Sequence, residues 1–597
     1  MAVNPGPSKR GVSIKNERPR DGKYVLKRLW SYIYHYKWLL ALAIILTLAG
    51  NVFALLGPML SGYAIDAIEL GEGRVIIKDV LYFAGWMIVF YIVSSFFAYL
   101  RSILMIQLSQ KIIYKMREDV FTKMVELPVG YFDRNQAGDI ISRISYDIDT
   151  INTSLSTDIV QIVASIITVI GSLIMMIIIS PVLVWVMLIT IPLSLLYTRF
   201  MSRKVRPLFR KRSAKLGELN GFTEEMVSGL KTIEAYASED AVMEGFDVIN
   251  EETTEAYYQA EFYGSTMGPT VNFINNISLS FITVFGAIFY LRGNMSLGNI
   301  SSFIQYSRKF SGPISETANI ISELQSAAAA AERVFKLMDE APEVLDKEGA
   351  QELEEVEGKV DLKDVTFGYI PEKVIFEKLN LTAKPGSLTA IVGPTGAGKT
   401  TIINLLMRFY DIWDGKILID EKETRDLTRK SLRKSFAMVL QDTWLFRGTI
   451  FDNIAYGKEN ATMDEVVKAA QMAGIHSFIK RLPKKYYTII SEDGFNISKG
   501  QKQLLTIARA MLLDAKMLIL DEATSNVDTR TEVKIQKAMV KLMENKTCFV
   551  IAHRLSTIQG ADNILVVSEG KVVEQGNHKE LMEKKGFYYK LYQSQFE

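Results

Sequence analysis

The sequence predicts a multi-domain membrane protein, with an all-α transmembrane domain of six helices in its first half and an α/β domain in its second half. Long windows without Asp, Glu, Lys or Arg are confined to the first half of the 597 residues. From Gly358 onward, short β-branched runs alternate with helical segments instead. These two patterns are typical of membrane-spanning helices and of a sheet flanked by helices, respectively.

The charge-free windows are long enough to cross a bilayer, which takes about 20 apolar residues in a helix. The window 159–198 is broken at Ser180-Pro181, so it predicts two helices joined by a tight turn. The apolar segment Met295–Ser307 is short, and it predicts a sixth span only if it continues past Arg308-Lys309 as an amphipathic helix. The predicted spans are about 38–65, 80–100, 159–179, 181–198, 262–291 and 295–320.

The distribution of Lys and Arg predicts the orientation of the spans. Both long connections, 101–158 and 199–261, are rich in these residues, whereas the opposite connections contain only Arg74, Lys78 and Arg292. The positive-inside rule therefore places the N-terminus and both long connections in the cytoplasm. The long connections have a helical pattern, and we expect them to be cytoplasmic extensions of the membrane helices.

The remaining segments complete the predicted domain organisation. Residues 1–37 are polar and basic, and we expect them to form a cytoplasmic tail and elbow ahead of the transmembrane domain at 38–338. The segment 339–357 is dense in Asp and Glu and predicts a solvated linker. Residues 358–597 are assigned to the α/β domain.

Charge and cysteine content exclude two classes of protein. The chain has 69 Lys and Arg against 67 Asp and Glu, a net charge of +2, so it lacks the cationic excess of a protein that coats nucleic acid. Its single cysteine, Cys548, excludes an internal disulfide framework.

A glycine-rich loop in the second half carries the clearest chemical signal. The apolar run Leu388–Val392 predicts a buried strand, and it is followed by Gly-Pro-Thr-Gly-Ala-Gly-Lys-Thr-Thr and a predicted helix, Ile402–Phe409. This is the P-loop pattern in its strand–loop–helix context: backbone N–H groups surround phosphate oxygens, Lys399 reaches the β- and γ-phosphates, and the Thr400 hydroxyl binds Mg²⁺. The predicted ATP-binding residues of the loop are Gly393, Pro394, Thr395, Gly396, Ala397, Gly398, Lys399, Thr400 and Thr401.

A second apolar strand, Met517–Leu520, ends in two carboxylates. Beside a P-loop, Asp521 is suited to hold Mg²⁺ and Glu522 to polarise the attacking water, so we expect Glu522 to be the catalytic base. Without the P-loop, the same pattern would indicate only a strand that leaves the core.

The sequence Ile-Ser-Lys-Gly-Gln at 497–501, which ends 20 residues before Asp521, resembles the signature motif of ABC transporters. Further segments resemble other motifs of that family in the same order, and the resemblance covers nearly the whole chain. It implies an exporter-type half-transporter: a six-helix membrane domain fused to one ABC ATPase domain. It also implies roles for an adenine-stacking Tyr369, a Q-loop Gln441 that helps to bind Mg²⁺, a D-loop Asp528 and a catalytic switch His553.

The resemblance implies a dimer. In the family, the signature residues reach the γ-phosphate of ATP held on the partner's P-loop; here they are Ser498, Lys499, Gly500 and Gln501. The segments 127–133 and 224–229 resemble the surroundings of the two coupling helices. Lys499 and Asn526-Val527 depart from the commonest motifs, which is either neutral or a sign of asymmetry. Since the chain resembles the catalytic subunit of bacterial heterodimeric multidrug exporters, we favour a heterodimer with a second half-transporter over a homodimer.

These inferences predict ATP-driven, multidrug-type export of amphipathic or hydrophobic compounds across the bacterial cytoplasmic membrane. A lipid or peptide exporter and an importer that uses the exporter fold remain alternatives; a soluble ABC ATPase would lack the charge-free spans. No charged residue is expected at mid-span, which favours apolar cargo over strongly ionic cargo. Uncharged amides within the spans could line a cavity or form helix–helix hydrogen bonds: Asn51, Gln161, Asn272, Asn275 and Asn276.

Overall fold

The computed structural model describes residues 22–68, 75–441, 443–490, 497–521, 528–552 and 555–596. The chain divides into two compact units. Unit 1 comprises Met1–Val125 and Ala137–Glu340, and unit 2 comprises Glu126–Gln136 and Ala341–Glu597. The predicted fold class, a helical transmembrane domain followed by an α/β domain, is confirmed.

Unit 1 is built of helices, several of them longer than a bilayer is thick. Short π-helical turns join α5, α6 and α7, so that residues 137–179 run as one helix. The helices are α1 (Gly22–Tyr34), α2 (Lys37–Asp66), α3 (Ile77–Glu126), α5 (Ala137–Ser142), α6 (Ile148–Thr153), α7 (Ile159–Ile179), α8 (Pro181–Ser228), α9 (Leu230–Ala235), α10 (Glu239–Leu291) and α11 (Leu297–Asp339); α4 (Val129–Arg134) belongs to unit 2.

Five helical stretches among the described residues are long and apolar enough to cross a membrane: Lys37–Asp66, Ile77–Glu126, Ala137–Ile179, Pro181–Ser228 and Glu239–Leu291. Between the third and fourth stretches, α7 ends at Ile179, Ser180 is extended, and Pro181 begins α8. A proline is tolerated there, because the N–H groups in the first turn of a helix have no carbonyl partner within the helix. At about 1.5 Å per residue, the 50 residues of α3 span about 75 Å, which far exceeds the hydrocarbon core.

The helix α11 is not among these five stretches, because polar and charged residues interrupt its apolar face. Its 43 residues nevertheless form one continuous helix, which packs against α2 and α7 through the buried side chains of Phe303, Tyr306 and Phe310. Its first turn is capped by Ser296, which accepts from the Asn299 N–H, and by Asp66, which accepts from the Gly298 N–H at 2.6 Å.

Unit 2 contains a six-stranded sheet and a four-stranded antiparallel sheet. The six strands lie in the order β12-β11-β3-β10-β9-β6, all neighbours being parallel except β12 and β11. The antiparallel sheet has the order β2-β1-β4-β5. The strands are β1 (Val360–Phe367), β2 (Phe376–Ala383), β3 (Leu388–Val392), β4 (Asp414–Ile419), β5 (Lys422–Glu423), β6 (Phe436–Val439), β7 (Gly448–Thr449), β8 (Ile489–Ile490), β9 (Met517–Asp521), β10 (Thr547–Ile551), β11 (Asn563–Ser568) and β12 (Lys571–Gly576).

The helices of unit 2 pack on both faces of the parallel sheet, because alternate strand residues point to opposite sides. Val392 and Leu520 face a core shared with α17 and α18, whereas Ile391 and Ile519 face a core shared with α12 and the antiparallel sheet. The helices are α12 (Lys399–Leu406), α13 (Arg429–Lys434), α14 (Ile450–Ala455), α15 (Met463–Met472), α16 (His476–Ile479), α17 (Lys499–Leu513), α18 (Thr529–Met543), α19 (Leu555–Gln559), α20 (His578–Lys584) and α21 (Phe587–Phe596).

The acidic segment 339–357 is only partly the solvated linker that the sequence predicts. Glu343 accepts a hydrogen bond of 2.5 Å from Arg433, and Asp346 accepts one of 3.1 Å from the buried Arg429. Leu353 is buried in the core of unit 2. The segment is therefore bound to unit 2 at these residues rather than fully solvated, since the buried Arg429 needs a carboxylate partner and Asp346 lies on this segment. Other acidic residues of the segment stay exposed: Glu348, Glu352, Glu354 and Glu355.

Candidate functional site

The glycine-rich loop joins the central strand β3 to the first turn of α12. Gly393 begins the loop with φ 154°, and a Cβ there would lie 2.0 Å from the Val567 carbonyl oxygen. Gly398 ends it with φ 103°, and a Cβ there would press against the ring of Phe376. Side chains are therefore excluded at both ends of the loop, which leaves its backbone N–H groups and the N-terminus of α12 to meet an anion.

Lys399 is the first residue of α12 and folds back over the loop. Its Nζ donates hydrogen bonds of 2.8 Å to the Gly393 carbonyl and 3.0 Å to the Pro394 carbonyl. Partial burial lowers the pKa of Lys399, and the negative charge of Asp521 opposes that shift. Phosphate oxygens would replace these carbonyls as acceptors and would restore the stabilisation of the ammonium that burial removes. Of the other loop residues, Ala397 is buried, whereas Pro394, Thr395, Gly396 and Thr400 are exposed.

The other sequence-predicted groups follow the carboxyl ends of neighbouring parallel strands. Asp521 ends β9 and pairs in register with Ile551 of β10, which pairs in turn with Ile391 of β3. Gln441 follows β6, the neighbour of β9 on its other side, and is exposed. Ligands of α/β sheets bind at this edge, where the chain leaves the strands and helix N-termini face outward.

Two predicted catalytic residues follow β9 and β10 in the sequence. Glu522 directly follows Asp521, and His553 comes after β10 and Ala552. Both lie outside the described residues, and the roles of their side chains stay predictions from the sequence.

The donor set at this edge fits a magnesium ion bound together with phosphate. It offers the Thr400 hydroxyl, the Asp521 carboxylate and the Gln441 amide oxygen, and oxygen ligands are those that Mg²⁺ prefers. Within the described ranges, no group of three or more His, Cys, Asp or Glu residues could hold a metal by itself. The residues present therefore suit an ion that takes part of its coordination from a nucleotide and water.

Tyr369 lies next to the loop and is 40% exposed. Its hydroxyl donates a hydrogen bond of 3.1 Å to Thr401 Oγ1 and accepts one of 3.1 Å from Asn404, both on α12. The edge of its ring meets Tyr410, with centroids 4.9 Å apart and planes at 83°. The α12 contacts hold the ring in place while part of its surface is left for stacking on a base.

The predicted signature residues begin α17. Ser498 is its N-cap and forms a capping box with Gln501, in which each side chain accepts from the other residue's backbone N–H. Ser498 and Lys499 are exposed, and Gly500 is buried. The helices α17 and α12 pack on opposite faces of the parallel sheet. The signature residues at the start of α17 and the P-loop at the start of α12 therefore belong to different helix layers.

Asp528 is the N-cap of α18, and its carboxylate accepts the Thr531 N–H at 3.0 Å. Hydrogen bonds from Thr531 lower the pKa of Asp528, so it is ionised at neutral pH. The preceding D-loop residues, Ser525-Asn526-Val527, lie outside the described residues.

One residue of this region was missed by the sequence analysis. Tyr410, which follows α12, donates a hydrogen bond of 2.5 Å to Asp133 of α4, and its ring also packs on Gly130. Burial, and then the hydrogen bond to Asp133, raises the pKa of Tyr410, so the hydroxyl keeps its proton and can donate. No local sequence signal connects Tyr410 to α4, since the two lie in distant parts of the chain.

Comparisons with known proteins agree with this arrangement. A family model for the ABC transporter transmembrane region matches residues 40–314, and one for the ABC transporter ATPase region, described as ABC transporter, matches residues 376–525. An uncharacterized ABC transporter ATP-binding protein of Bacillus subtilis is 42% identical over 583 residues, which cover 98% of this chain and 96% of the relative. A fatty acid ABC transporter ATP-binding/permease protein of Mycobacterium bovis is 47% identical over 482 residues, 81% of this chain and 76% of the relative. The solved structure of a bacterial Atm1-family ABC exporter with ATP bound has a TM-score of 0.75 and 28% identity, and the match covers 94% of this chain and 98% of that one.

Proposed function

We propose that this chain, which belongs to the ABC transporter family and couples ATP hydrolysis to transport, exports amphipathic or hydrophobic compounds across the bacterial cytoplasmic membrane. One observation carries the coupling of ATP hydrolysis to transport. The helix α4 lies in the connection between two membrane-spanning helices, yet it is a structural part of unit 2, which we call the ATPase unit. There, Asp133 of α4 accepts a hydrogen bond from Tyr410. A membrane helix whose cytoplasmic end is continuous with the ATPase unit can follow its movements.

The proposed cargo is amphipathic, of the kind that multidrug-type exporters handle. The Mycobacterium relative is named for fatty acids, which are themselves amphipathic. Export of a lipid or a peptide by the same fold is the second candidate, and import by the exporter fold is the third. These candidates differ in cargo and direction but share the ATP-driven change between inward- and outward-facing states.

The half-transporter architecture implies a dimer. The helix layers of unit 2 suggest the reason, because the signature residues and the P-loop of one chain lie in different layers. A γ-phosphate on the P-loop needs donors on its far side as well, and we propose that Ser498 and Gly500 of this chain supply them to the partner's nucleotide. From the end of α8 to the residue that follows α9, the apolar side chains of Val227, Leu230 and Tyr236 are exposed, as expected of a segment that docks on another subunit. The proposed partner is a different half-transporter rather than a second copy.

In the proposed mechanism, each residue of the strand edge has one task. Lys399 and the loop N–H groups hold the phosphates, and Glu522 orients and polarises the attacking water. His553 donates a hydrogen bond to the γ-phosphate. Mg²⁺ held by Thr400, Asp521 and Gln441 would neutralise part of the phosphate charge. Closure of the two ATPase units around ATP then moves α4, and hydrolysis releases it.

The experiment that tests the proposal is transport by the purified protein in proteoliposomes. Inside-out vesicles that contain the full-length chain with its partner should accumulate an amphipathic fluorescent dye only when ATP and Mg²⁺ are present, and vanadate should stop the uptake. ATP hydrolysis that no amphipathic compound stimulates, together with no accumulation, would disprove export of this cargo class.

A further inference from the structure

A lysine of α11, Lys309, lies within the predicted sixth span, 295–320, and charged residues are rare in membrane spans. Lys309 lies 12 positions, or about 18 Å of helix, after Leu297, where α11 begins; in a span that starts there, this is near the middle of a hydrocarbon core of about 30 Å. Ala54, whose carbonyl the Lys309 ammonium contacts, lies the same distance from the end of its own helix, because it is 12 positions before Asp66, the last residue of α2. If α11 crosses the membrane as the sequence predicts, Arg308 and Lys309 are charged residues within that span, where the sequence alone led us to expect none.

The position of Lys309 follows from a proline in the neighbouring helix. Pro58 lies inside α2 and has no N–H, so the Ala54 carbonyl loses its usual helical donor. The Lys309 ammonium donates to that carbonyl at 3.2 Å. Three further side chains on the same face of α11 also donate to α2: Ser302 to the Pro58 carbonyl, Gln305 to Ser61, and Tyr306 to the Leu55 carbonyl.

The charge of Lys309 is not neutralised by this contact. Among the residues that the structure describes, no carboxylate lies within ion-pair distance of its ammonium, and the one acceptor found is a neutral carbonyl. An ammonium has three donors, so two are left for another partner. Arg308 lies at almost the same depth and is exposed, which adds positive charge to this level of the span. Ionisable groups held inside a membrane domain mark the path of a substrate or an ion more often than they stabilise it.

We infer that Lys309 binds the anionic head group of an amphipathic substrate, a carboxylate or a phosphate at one end of an apolar chain. This inference rests on the proposed transport of amphipathic compounds and specifies their charge. Neutral polar groups lie one turn away on α2, where Asn51 accepts a hydrogen bond of 3.0 Å from Thr168. The ammonium suits the head group of such a substrate, because a charge-assisted hydrogen bond is about twice as strong as a neutral one.

The competing explanation is that Lys309 serves only to satisfy the Ala54 carbonyl. The variant Lys309→Gln separates the two, since a glutamine amide is still a donor for a carbonyl but carries no charge. Lys309→Arg keeps the charge. Lys336→Gln is the matched control, because Lys336 is an exposed lysine near the C-terminal end of the same helix.

The experiment measures ATPase stimulation by the full-length transporter in nanodiscs with four compounds of equal chain length: hexadecanoate, hexadecyl phosphate, hexadecanol and hexadecyltrimethylammonium. In the unchanged protein and in Lys336→Gln, one or both anions should act at concentrations about tenfold lower than the alcohol. This preference should vanish in Lys309→Gln and persist in Lys309→Arg. Stimulation by only one of the anions supports the inference and identifies the head group.

The remaining outcomes overturn the inference. If the alcohol or the quaternary ammonium stimulates as well as the anions, or if Lys309→Gln keeps the preference for anions, then Lys309 does not recognise the head group, although transport of amphipathic compounds still stands. If none of the four compounds stimulates hydrolysis or is moved across the bilayer of proteoliposomes, the proposed function fails together with the inference.

Discussion

The Tyr410 hydroxyl donates a hydrogen bond of 2.5 Å to the Asp133 carboxylate, which joins two residues 277 positions apart in the sequence. Asp133 belongs to α4, and both residues are part of the ATPase unit. The ring of Tyr410 also meets the edge of Tyr369, which we propose stacks on adenine. One tyrosine thus contacts both the proposed nucleotide-binding aromatic and the helix proposed to transmit movement to the membrane.

We therefore expect Tyr410→Phe to weaken coupling more than hydrolysis. Loss of a hydrogen bond to a charged group should lower the amount of substrate moved per ATP about threefold to tenfold, while ATP hydrolysis without substrate continues. The measurement is the ratio of transport to phosphate release in proteoliposomes. Tyr487→Phe, at an exposed tyrosine of the same unit, should leave this ratio unchanged. An unchanged ratio in Tyr410→Phe would show that the contact transmits nothing.

Glu522→Gln should abolish turnover and preserve ATP binding. A glutamine keeps the size and shape of the side chain but replaces one acceptor oxygen with an NH2 donor, so it cannot polarise water as a base; general-base catalysis contributes about a hundredfold to ten-thousandfold. The measurement pairs steady-state phosphate release with the affinity for a fluorescent ATP analogue. Glu583→Gln, at an exposed residue of α20, is the control. Normal hydrolysis by Glu522→Gln would remove this residue from the catalytic role.

Gly398→Ala should impair ATP binding as well as stability. The residue has φ 103°, and a Cβ would lie 2.8 Å from the Phe376 ring, so the loop must shift. Gly386→Ala is the matched control, because Gly386 also has positive φ, at 70°, but has open space around it. Both variants should lose about 1–2 kcal/mol of stability, seen as a lower melting temperature in calorimetry. Only Gly398→Ala should also bind ATP more weakly, and equal ATP affinity in the two variants would contradict the assignment of the loop.

Cys548 should act as a reporter of unfolding in the ATPase unit. Burial raises the pKa of its thiol to about 12, and the chain contains no other cysteine. In native protein at pH 8, maleimide should label it far more slowly than in protein unfolded by denaturant, because the thiolate is the reactive form. The neutral thiol also costs stability above the unfolded pKa of about 8.5, where the unfolded chain ionises and the folded chain does not. Fast labelling of the native protein would show that the strand β10 opens readily.

The sequence by itself determined those features whose residues are close together in the chain. The glycine-rich loop was predictable because its glycines, Lys399 and Thr400 are close together in one strand–loop–helix segment, where spacing alone sets the backbone shape. The break at Ser180-Pro181 is equally local, since a proline can begin a helix but disrupts its interior. The charge-free windows predicted the five long apolar helices, because a bilayer demands a minimum apolar length regardless of tertiary contacts.

The tertiary structure decided every feature that depends on residues far apart in the sequence. The solvated linker was predicted from composition, but its carboxylates pair with arginines some 80 positions or more away. The contact between Tyr410 and Asp133, and the depth of Lys309 beside the carbonyl that Pro58 leaves free, depend on helix register and on which helices are neighbours. Local sequence propensity carries no information on helix register or on which helices are neighbours, because packing in three dimensions selects the partner of a buried polar group.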